Sequence, residues 1–185
     1  MGCGEAALAV TLAQRGALVT GVDVDPGMLA AGRARAEAAG VALELMTGDV
    51  RALPFADGSF DIVLAVTVLC FVDDTARALG EMARVLRPGG RLVIGELGRW
   101  NLWAARRRIS GWLGSRTWQS ATFRSARALK RLVTDAGLAV TAVRGAVYYP
   151  PSAPMAVLMA HCDPWIGKRT TAGAAFLVAV GKKPA

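Results

Sequence analysis

Short apolar runs alternate with longer mixed segments along the first half of the chain. The runs are rich in aliphatic and β-branched residues and predict strands at residues 17–23, 41–46, 61–66 and 91–96. The segments between them place apolar residues at helical spacing and predict helices at residues 5–15, 25–39 and 73–86. Because strands alternate with helices, the sequence predicts an α/β fold with a mostly parallel sheet.

The second half of the chain has a different pattern. After Gly98 an Arg- and Trp-rich segment begins, which we expect to be helical as far as Ser110. A helix at residues 125–136 and strands at residues 138–143 and 174–180 are predicted to follow. The longest nearly apolar run, residues 62–72, contains 11 residues, whereas a membrane-spanning helix needs roughly 18. The pattern predicts one domain over residues 1–185 that does not cross a membrane.

The composition supports a folded domain and excludes several other classes. The 185 residues are 54% apolar and 19% charged, which excludes a disordered or collagen-like chain. Cys3, Cys70 and Cys162 are too few for a disulfide scaffold, and we expect reduced thiols. The first residues lack the basic start and apolar stretch of a secretory signal, so the expected location is the cytoplasm.

Charge divides the chain into two unlike halves. Residues 1–97 carry 8 Lys and Arg against 12 Asp and Glu, a net charge of −4. Residues 98–185 carry 14 Lys and Arg against 2 Asp and Glu, a net charge of +12, and they hold all five tryptophans. The contrast indicates a general first half and a more specialised second half.

A glycine-rich turn opens the chain. Gly2 and Gly4 precede Ala7 in a Gly-x-Gly-x-x-Ala pattern ahead of a predicted helix, and Asp23 ends the next predicted strand. Such glycines let the backbone approach a nucleotide, and an acid about 20 residues later accepts hydrogen bonds from ribose hydroxyls. A dinucleotide fold and any other adenosine-binding fold explain this pattern equally well. The alternative without a ligand is a tight turn, with Asp23 as a cap beside the following helix.

Three further segments narrow the choice of family: Thr47-Gly48-Asp49-Val50, Leu53-Pro54-Phe55 with Asp57 and Asp61, and Arg84-Val85-Leu86-Arg87-Pro88-Gly89-Gly90. Together with Gly2-Cys3-Gly4 and Val22-Asp23, these segments resemble the class I S-adenosylmethionine-dependent methyltransferases. The resemblance is to small bacterial members similar to the quinone-biosynthesis methyltransferases. It covers about residues 1–97 in order and spacing.

The resemblance implies a Rossmann-like sheet whose last strand, at about residues 174–180, runs antiparallel to the others. It also implies S-adenosylmethionine as the cofactor. The two glycines would pass under its methionine end, Asp23 would bind the ribose hydroxyls, and Asp49 would face the adenine amino group. Residues 66–71 would close over the donor methyl, and Met28 would pack on the adenine unless it belongs to the helix core. The implied cofactor-binding residues are Gly2, Gly4, Asp23, Val24, Met28, Asp49, Val50 and Val66.

The sequence departs from the family pattern at two places. Glu5-Ala6 stands where the family has Thr-Gly, and we expect the methyl group of Ala6 to weaken cofactor binding by crowding the cofactor. The strand that the family places before Gly-Cys-Gly, in the middle of its sheet, is missing from the chain. Its two neighbours are expected to keep unpaired backbone groups, each at a cost of about 1–3 kcal/mol. A fragment or an internal start would explain this departure; the alternative is that another element fills the gap.

The Arg- and Trp-rich segment, at about residues 99–124, occupies the position of the family's substrate cap. Its aromatic residues would line a pocket, and its arginines would bind an anionic acceptor or a membrane surface. In the alternative interpretation, the tryptophans anchor a small helical cap and the arginines are solvated. Nucleic acid is not expected, because no nucleic-acid-binding module accompanies the segment. The candidate acceptor residues are Trp100, Trp103, Trp112, Trp118 and Tyr148.

Methyl transfer from a sulfonium depends mainly on alignment of acceptor, methyl and sulfur, so a dedicated base is optional. If the acceptor is a hydroxyl group, the candidates to take its proton are His161, Tyr148 and Tyr149. A metal site is not expected, because His161 and Cys162 have no matching cluster of ligands.

These observations favour S-adenosylmethionine-dependent methyl transfer to a small aromatic or lipophilic acceptor. An NAD-dependent oxidoreductase would explain the glycine turn and Asp23 but not Asp49 or the Arg-Pro-Gly-Gly segment. A degenerate or truncated relative without catalytic activity would explain Glu5-Ala6 and the missing strand. The sequence specifies neither the acceptor atom nor the oligomeric state.

Overall fold

A computed structural model describes the backbone of residues 1–185 and every side chain except that of Ala153. The strands are β1 (Thr20–Asp23), β2 (Glu44–Thr47), β3 (Phe60–Val66), β4 (Leu86–Leu97), β5 (Ala139–Ala146) and β6 (Phe176–Lys182). The helices are α1 (Ala7–Ala13), α2 (Pro26–Ala38), α3 (Thr75–Val85), α4 (Leu102–Trp112), α5 (Arg116–Gln119), α6 (Ala126–Asp135), α7 (Ala153–Met159) and α8 (Asp163–Arg169). A 3₁₀ helix covers Leu69–Phe71.

The six strands form two sheets. In the first, β1 and β2 pair in parallel, with Val22 opposite Met46. The second has the order β3-β4-β6-β5, in which β3 and β4 are parallel and β6 runs antiparallel to both of its neighbours. The α/β class, the parallel pairing of the early strands and the antiparallel last strand are therefore as predicted.

The hydrophobic core lies on β4 and the helices that cover it. Helix α3 is capped by Asp74, whose carboxylate accepts a hydrogen bond from the Arg77 N–H, and it buries one apolar face against the sheet. Helix α6 packs against β5 and β6. Full burial of one such side chain stabilises the folded state by about 1.5–3 kcal/mol. This core therefore holds β4 and its neighbouring strands firmly in place. The largest apolar side chains that it buries include Leu79, Met82, Leu86, Leu92, Ile94, Leu129 and Val133.

A groove separates the two sheets. The free edges of β1 and β3 face each other across a cavity of about 420 Å³, which residues of α1 also line. No strand among the described residues pairs with either edge. In the part of the chain that the structure describes, backbone hydrogen bonds bridge the groove at one end, where the N-terminal amine donates to the Leu64 carbonyl at 2.7 Å and the Cys3 N–H donates to the Val22 carbonyl at 3.0 Å. The sheet is thus divided at the position that the resemblance gives to a further strand.

The second half of the chain contains helices that the sequence did not predict. α5, α7 and α8 are all short, with four to seven residues each. None of the helices in the described part of the chain is both long enough and apolar enough to cross a membrane.

Candidate cofactor and acceptor site

The glycine turn lies between the two sheets, just ahead of α1. Gly2 has a φ of 58° and Gly4 a φ of 51°, a left-handed conformation that glycine adopts without strain. A Cβ atom at Gly2 would overlap the side chain of Val68, which belongs to the segment after β3. The turn therefore requires glycine both for its conformation and for its close approach to that segment.

Asp23 connects the glycine turn to the end of β1. Its Oδ2 accepts a hydrogen bond from the Gly4 N–H at 2.7 Å, and its Oδ1 accepts one from the Asp25 N–H at 3.1 Å. A carboxylate has about four acceptor positions, so Asp23 retains capacity for a pair of hydroxyl groups. The N-cap of α2 is Asp25, whose carboxylate accepts from Gly27 and Met28. The interpretation of Asp23 as the cap of that helix is therefore wrong.

Ala6 does not crowd the space above the glycine turn. Its side chain is fully buried, and a Cβ atom at Gly32 of α2 would lie 3.0 Å from the Ala6 Cβ. The methyl group therefore packs between α1 and α2, and the expectation that it meets the cofactor is wrong. The cost of alanine is conformational instead, because its φ of 56° is left-handed, which disfavours residues with a Cβ by about 1–2 kcal/mol.

Two apolar side chains stand exposed beside Asp23. Val24 is exposed, and Met28, in the first turn of α2, is 43% exposed. The residues that α2 buries are Leu29, Gly32 and Ala36. The helix-core alternative for Met28 is therefore wrong, and its thioether is available to an aromatic ring.

Asp49 lies after β2 and is held by a neighbour. The Arg51 guanidinium donates to both oxygens of Asp49 at 2.7–3.1 Å, and the Arg51 N–H donates to Oδ1 at 2.8 Å. These hydrogen bonds lower the pKa of the Asp49 carboxyl. Val50 buries its side chain in the core, so only its backbone can meet a ligand. An adenine amino group would share the Asp49 carboxylate with Arg51.

The segment after β3 forms the roof of the site. Val66 is partly exposed at the strand end, and Thr67 adopts a left-handed φ of 56° while its N–H donates to the Gly95 carbonyl at 2.7 Å. The chain then enters the 3₁₀ helix, where Phe71 is 40% exposed. Residues 66–71 are thus turned back over the carboxyl end of the sheet, near the glycine turn through Val68.

A buried contact between a carboxyl group and a guanidinium, which no motif of the sequence indicated, supports this roof. Glu96, fully buried on β4, accepts a hydrogen bond from Arg124 at 3.2 Å. Arg124 also donates to the Leu69 carbonyl at 3.1 Å and to the Thr75 hydroxyl at 2.9 Å. Burial raises the pKa of the Glu96 carboxyl to about 7, against the opposing effect of Arg124. An acid at the end of an otherwise apolar predicted strand was the available signal.

The Arg- and Trp-rich segment leaves and rejoins the sheet at adjacent points. Gly98 and Arg124 form an isolated parallel bridge, and the Arg124 N–H donates to the Leu97 carbonyl at 3.0 Å. Between these points the chain forms α4 and α5, which pack on each other. The Thr122 N–H donates to the Cys70 carbonyl at 2.8 Å, so the segment also contacts the roof.

The four tryptophans of this segment point in different directions. Trp103 and Trp118 are half-buried on either side of Arg107, whose guanidinium carbon lies 5.5 Å and 5.0 Å from their ring centroids. The Trp118 ring is 6.3 Å from that of Phe71 in the roof. In contrast, Trp100 and Trp112 are largely exposed to solvent. The structure therefore brings Trp103 and Trp118 together on Arg107, and of the four it places Trp118 next to Phe71 of the roof.

The three candidate bases differ in their relation to this cluster. The Tyr148 hydroxyl donates to the Thr170 carbonyl and its N–H donates to Asp163 at 2.8 Å, so Tyr148 holds β5 to α8. Burial raises the pKa of the Tyr148 hydroxyl further above its ordinary range. The Tyr149 carbonyl accepts a hydrogen bond from the Trp103 indole at 2.8 Å. His161 is exposed between α7 and α8, and the described residues contain no group of three or more metal-ligating side chains.

The glycine turn, the acid at the end of β1 and the α/β fold together indicate a known class of protein. Residues 1–94 match the model of a methyltransferase-domain family. That match covers half of the sequence, and the chain belongs to this family.

Individual relatives extend the comparison. The chain is 45% identical over 95 residues to a demethylmenaquinone methyltransferase of Thermus thermophilus, which covers 51% of this chain and 43% of that protein. It is 32% identical over 159 residues to a ubiquinone biosynthesis O-methyltransferase of a Methylobacterium species, covering 82% of this chain and 63% of that protein. The chain thus spans less than two thirds of either relative.

Solved structures share the fold. The structure of a SAM-dependent methyltransferase from Thermotoga maritima superposes with a TM-score of 0.76 at 26% identity, covering 99% of this chain and 79% of that one. The agreement in fold includes the second half of the chain, which the family model does not match.

Proposed function

We propose that this chain binds S-adenosylmethionine and transfers its methyl group to a small aromatic acceptor. The observation that carries the proposal is the hydrogen bond between the Gly4 N–H and the Asp23 carboxylate at 2.7 Å. It fixes a left-handed glycine turn beside an acid that keeps free acceptor positions. This combination suits a cofactor with a ribose and a charged methionine end.

The chain's residues would contribute mainly position. The sulfonium of the cofactor supplies an activated methyl group, so the protein has to hold the acceptor in line with it. The glycine turn and Asp23 would orient the cofactor from below, and the roof formed by residues 66–71 would exclude water from above. The Tyr148 hydroxyl is engaged with the Thr170 carbonyl, and Tyr149 meets Trp103 through its backbone carbonyl, so the proposal does not depend on a dedicated base.

The acceptor site would lie between the roof and α4. Phe71, Trp103 and Trp118 offer aromatic surfaces there, and Arg107 offers a cation. Burial lowers the pKa of the Arg107 guanidinium, which is the effect of incomplete solvation without a carboxylate partner. An aromatic acceptor with an acidic oxygen, such as a quinol, would satisfy both features. The quinone-related names of the relatives agree with this class of acceptor.

Calorimetric titration of S-adenosylmethionine and S-adenosylhomocysteine into the chain tests the cofactor site. Asp23→Ala should lower the affinity for both at least roughly tenfold, because charge-assisted hydrogen bonds are worth about 1.5–3 kcal/mol each. The matched control is Asp61→Ala, which removes an exposed carboxylate paired with Arg87 at the opposite end of the sheet. The control should bind like the wild type.

Three outcomes would overturn the proposal. Equal affinities for wild type and Asp23→Ala would remove Asp23 from the cofactor site. Binding of NAD in place of S-adenosylmethionine would favour the oxidoreductase. A cooperatively unfolding chain that binds neither cofactor would favour the degenerate relative.

A further inference from the structure

Helix α4 exposes its apolar side to solvent. Leu102, Arg106, Ile109 and Leu113 recur at i, i+4, i+7 and i+11 and therefore share one face. The exposed fractions of Leu102, Ile109 and Leu113 are 64%, 50% and 83%, and Trp112 beside them is 83% exposed. We call these five residues, Leu102, Arg106, Ile109, Trp112 and Leu113, the outer face of α4.

The fold does not need this apolar face. The opposite side of α4 makes the contacts with the protein through small residues, because Ala104 and Gly111 are buried. A Cβ atom at Gly111 would lie 3.1 Å from the backbone of Trp118 in α5, so the two helices are in close contact there. The outer face is thus an additional apolar surface that core packing does not explain.

The charge around the outer face is uniformly positive. Residues 99–120 contain five arginines and no Asp or Glu. Arg107 lies on the inner side between two tryptophans, whereas Arg106 is exposed within the outer face. Arg99 stacks on the exposed Trp100, 5.0 Å from its ring centroid. An apolar stripe with aromatic residues and arginines is the combination that binds at an anionic lipid interface.

We propose that the outer face of α4 docks this protein on the surface of an anionic membrane. The helix would lie in the plane of the headgroups, with Leu102, Ile109 and Leu113 reaching the acyl boundary and Arg106 among the phosphates. A second copy of the chain is a poorer occupant, because two faces with the same positive charge repel each other. The proposal goes beyond methyl transfer, and it would place the Trp103–Arg107–Trp118 cluster on the protein side of the docked helix.

Vesicle flotation tests the proposal with the wild-type chain. Vesicles of phosphatidylcholine with phosphatidylglycerol should carry the protein at low salt, and vesicles of phosphatidylcholine alone should not. The double variant Ile109→Ser with Leu113→Ser should reduce the partition coefficient at least roughly tenfold, because it removes apolar groups that the docked helix would bury in the lipid. Arg106→Gln should reduce it roughly fivefold and weaken its salt dependence.

The matched control is Val157→Ser with Leu158→Ser on α7. These side chains are 76% and 70% exposed, but α7 carries no charged residue. The control should float like the wild type, and circular dichroism should show that every variant is folded. Equal loss in the α7 control would overturn the assignment to α4. If the wild type does not bind the anionic vesicles at low salt, membrane docking is wrong. It is also wrong if light scattering shows a dimer of the wild type that the α4 variants disrupt and the α7 control does not, because the outer face of α4 would then bind a second copy of the chain.

Discussion

The guanidinium of Arg107 lies between two indole rings, 5.5 Å from the centroid of Trp103 and 5.0 Å from that of Trp118. If this cation binds an acidic oxygen of the acceptor, Arg107→Met should raise the KM for a quinol such as reduced naphthoquinone at least roughly tenfold. A hydrogen bond to a charged group contributes about 1.5–3 kcal/mol, which sets this magnitude. The affinity for S-adenosylmethionine should not change.

The adjacent Arg106→Met provides the control, because Arg106 is exposed on the other side of α4. It should leave the KM of a soluble quinol unchanged. If both variants raise the KM for the quinol to the same extent, Arg107 acts through folding or through general charge and not through acceptor binding.

A second residue-scale prediction concerns Glu96 and pH. Burial raises the pKa of its carboxyl to about 7, whereas the unfolded chain ionises it near the ordinary value of about 4.3. The folded state therefore holds this proton more tightly, and the stability that the group contributes is lost as pH rises from about 4 through about 7. Glu96→Gln, which imitates the protonated acid, should gain stability relative to the wild type over this range.

Urea unfolding of both proteins at a series of pH values measures this difference. The exposed Glu44 supplies the control Glu44→Gln, which reports the effect of losing a surface charge. A difference between wild type and Glu96→Gln that does not vary with pH would mean that Glu96 stays ionised beside Arg124.

At the scale of single residues, the sequence predicts local backbone conformation better than contacts between residues that are far apart in the chain. Gly2 and Gly4 were predictable because their left-handed turn restricts the residue type. The pairing of Glu96 with Arg124 was not, since 28 residues separate the partners and only the return of the chain after α5 joins them. The inward direction of Trp118 and the outward direction of Trp112 likewise depend on how α4 packs on α5.

At the scale of elements, the cap of α4 carries a strong prediction. The Asn101 Oδ1 accepts a hydrogen bond from the Ala104 N–H at 2.7 Å, and its Nδ2 donates to the carbonyls of Gly98 and Ala174 at 2.9 Å and 3.0 Å. Asn101→Ala removes the cap and the connection to the residues before β6. It should lower the free energy of unfolding by about 1–2 kcal/mol, or the melting temperature by about 2–8 °C.

The control for this change is Ser125→Ala at the start of α6, where the side chain accepts a single hydrogen bond from the Ala128 N–H at 3.2 Å. Calorimetric melting should show a smaller loss for Ser125→Ala than for Asn101→Ala. Equal losses would mean that the contact with Ala174 adds nothing to the cap.

The strands and the longer helices were predictable because their apolar periodicity coincides with clear end signals, such as Asp25-Pro26 at the start of α2. The short helices were not, since α5, α7 and α8 depend on contacts with the rest of the fold. In α8, for instance, Gly167 packs directly against the Gly145 carbonyl of β5. A helix of seven residues gains little from its own hydrogen bonds, so tertiary contact decides whether it forms.

At the scale of the whole molecule, the division between the sheets governs stability. The core on β4 contains side chains from α3, α6 and both of the neighbouring strands, so the second sheet is well supported. The first sheet has two strands of four residues each, and no strand in the described part of the chain pairs it with the second sheet. It reaches the second sheet through residues 1–3, through core side chains such as Val22, and through the loop after β2, where the Leu53 N–H donates to Glu81 of α3. A two-stranded sheet is only marginally stable by itself. We therefore expect β1 and β2 to unfold locally before the core on β4 unfolds.

Adding a strand between the free edges of β1 and β3 would test whether the open groove limits the stability of the first sheet. A fusion that adds about six Val and Ile residues before Met1 would continue the bridge at Leu64 and Val22 down the groove, pairing with both edges at once. It should raise the melting temperature and slow amide hydrogen exchange in β3, because each new hydrogen bond contributes about 0.5–1.5 kcal/mol. A Gly-Ser extension of equal length is the matched control, since it also replaces the buried N-terminal amine, whose pKa is lowered by burial. If the two extensions melt alike and leave exchange in β3 unchanged, the groove does not accept a strand, and the stability of the first sheet has another source.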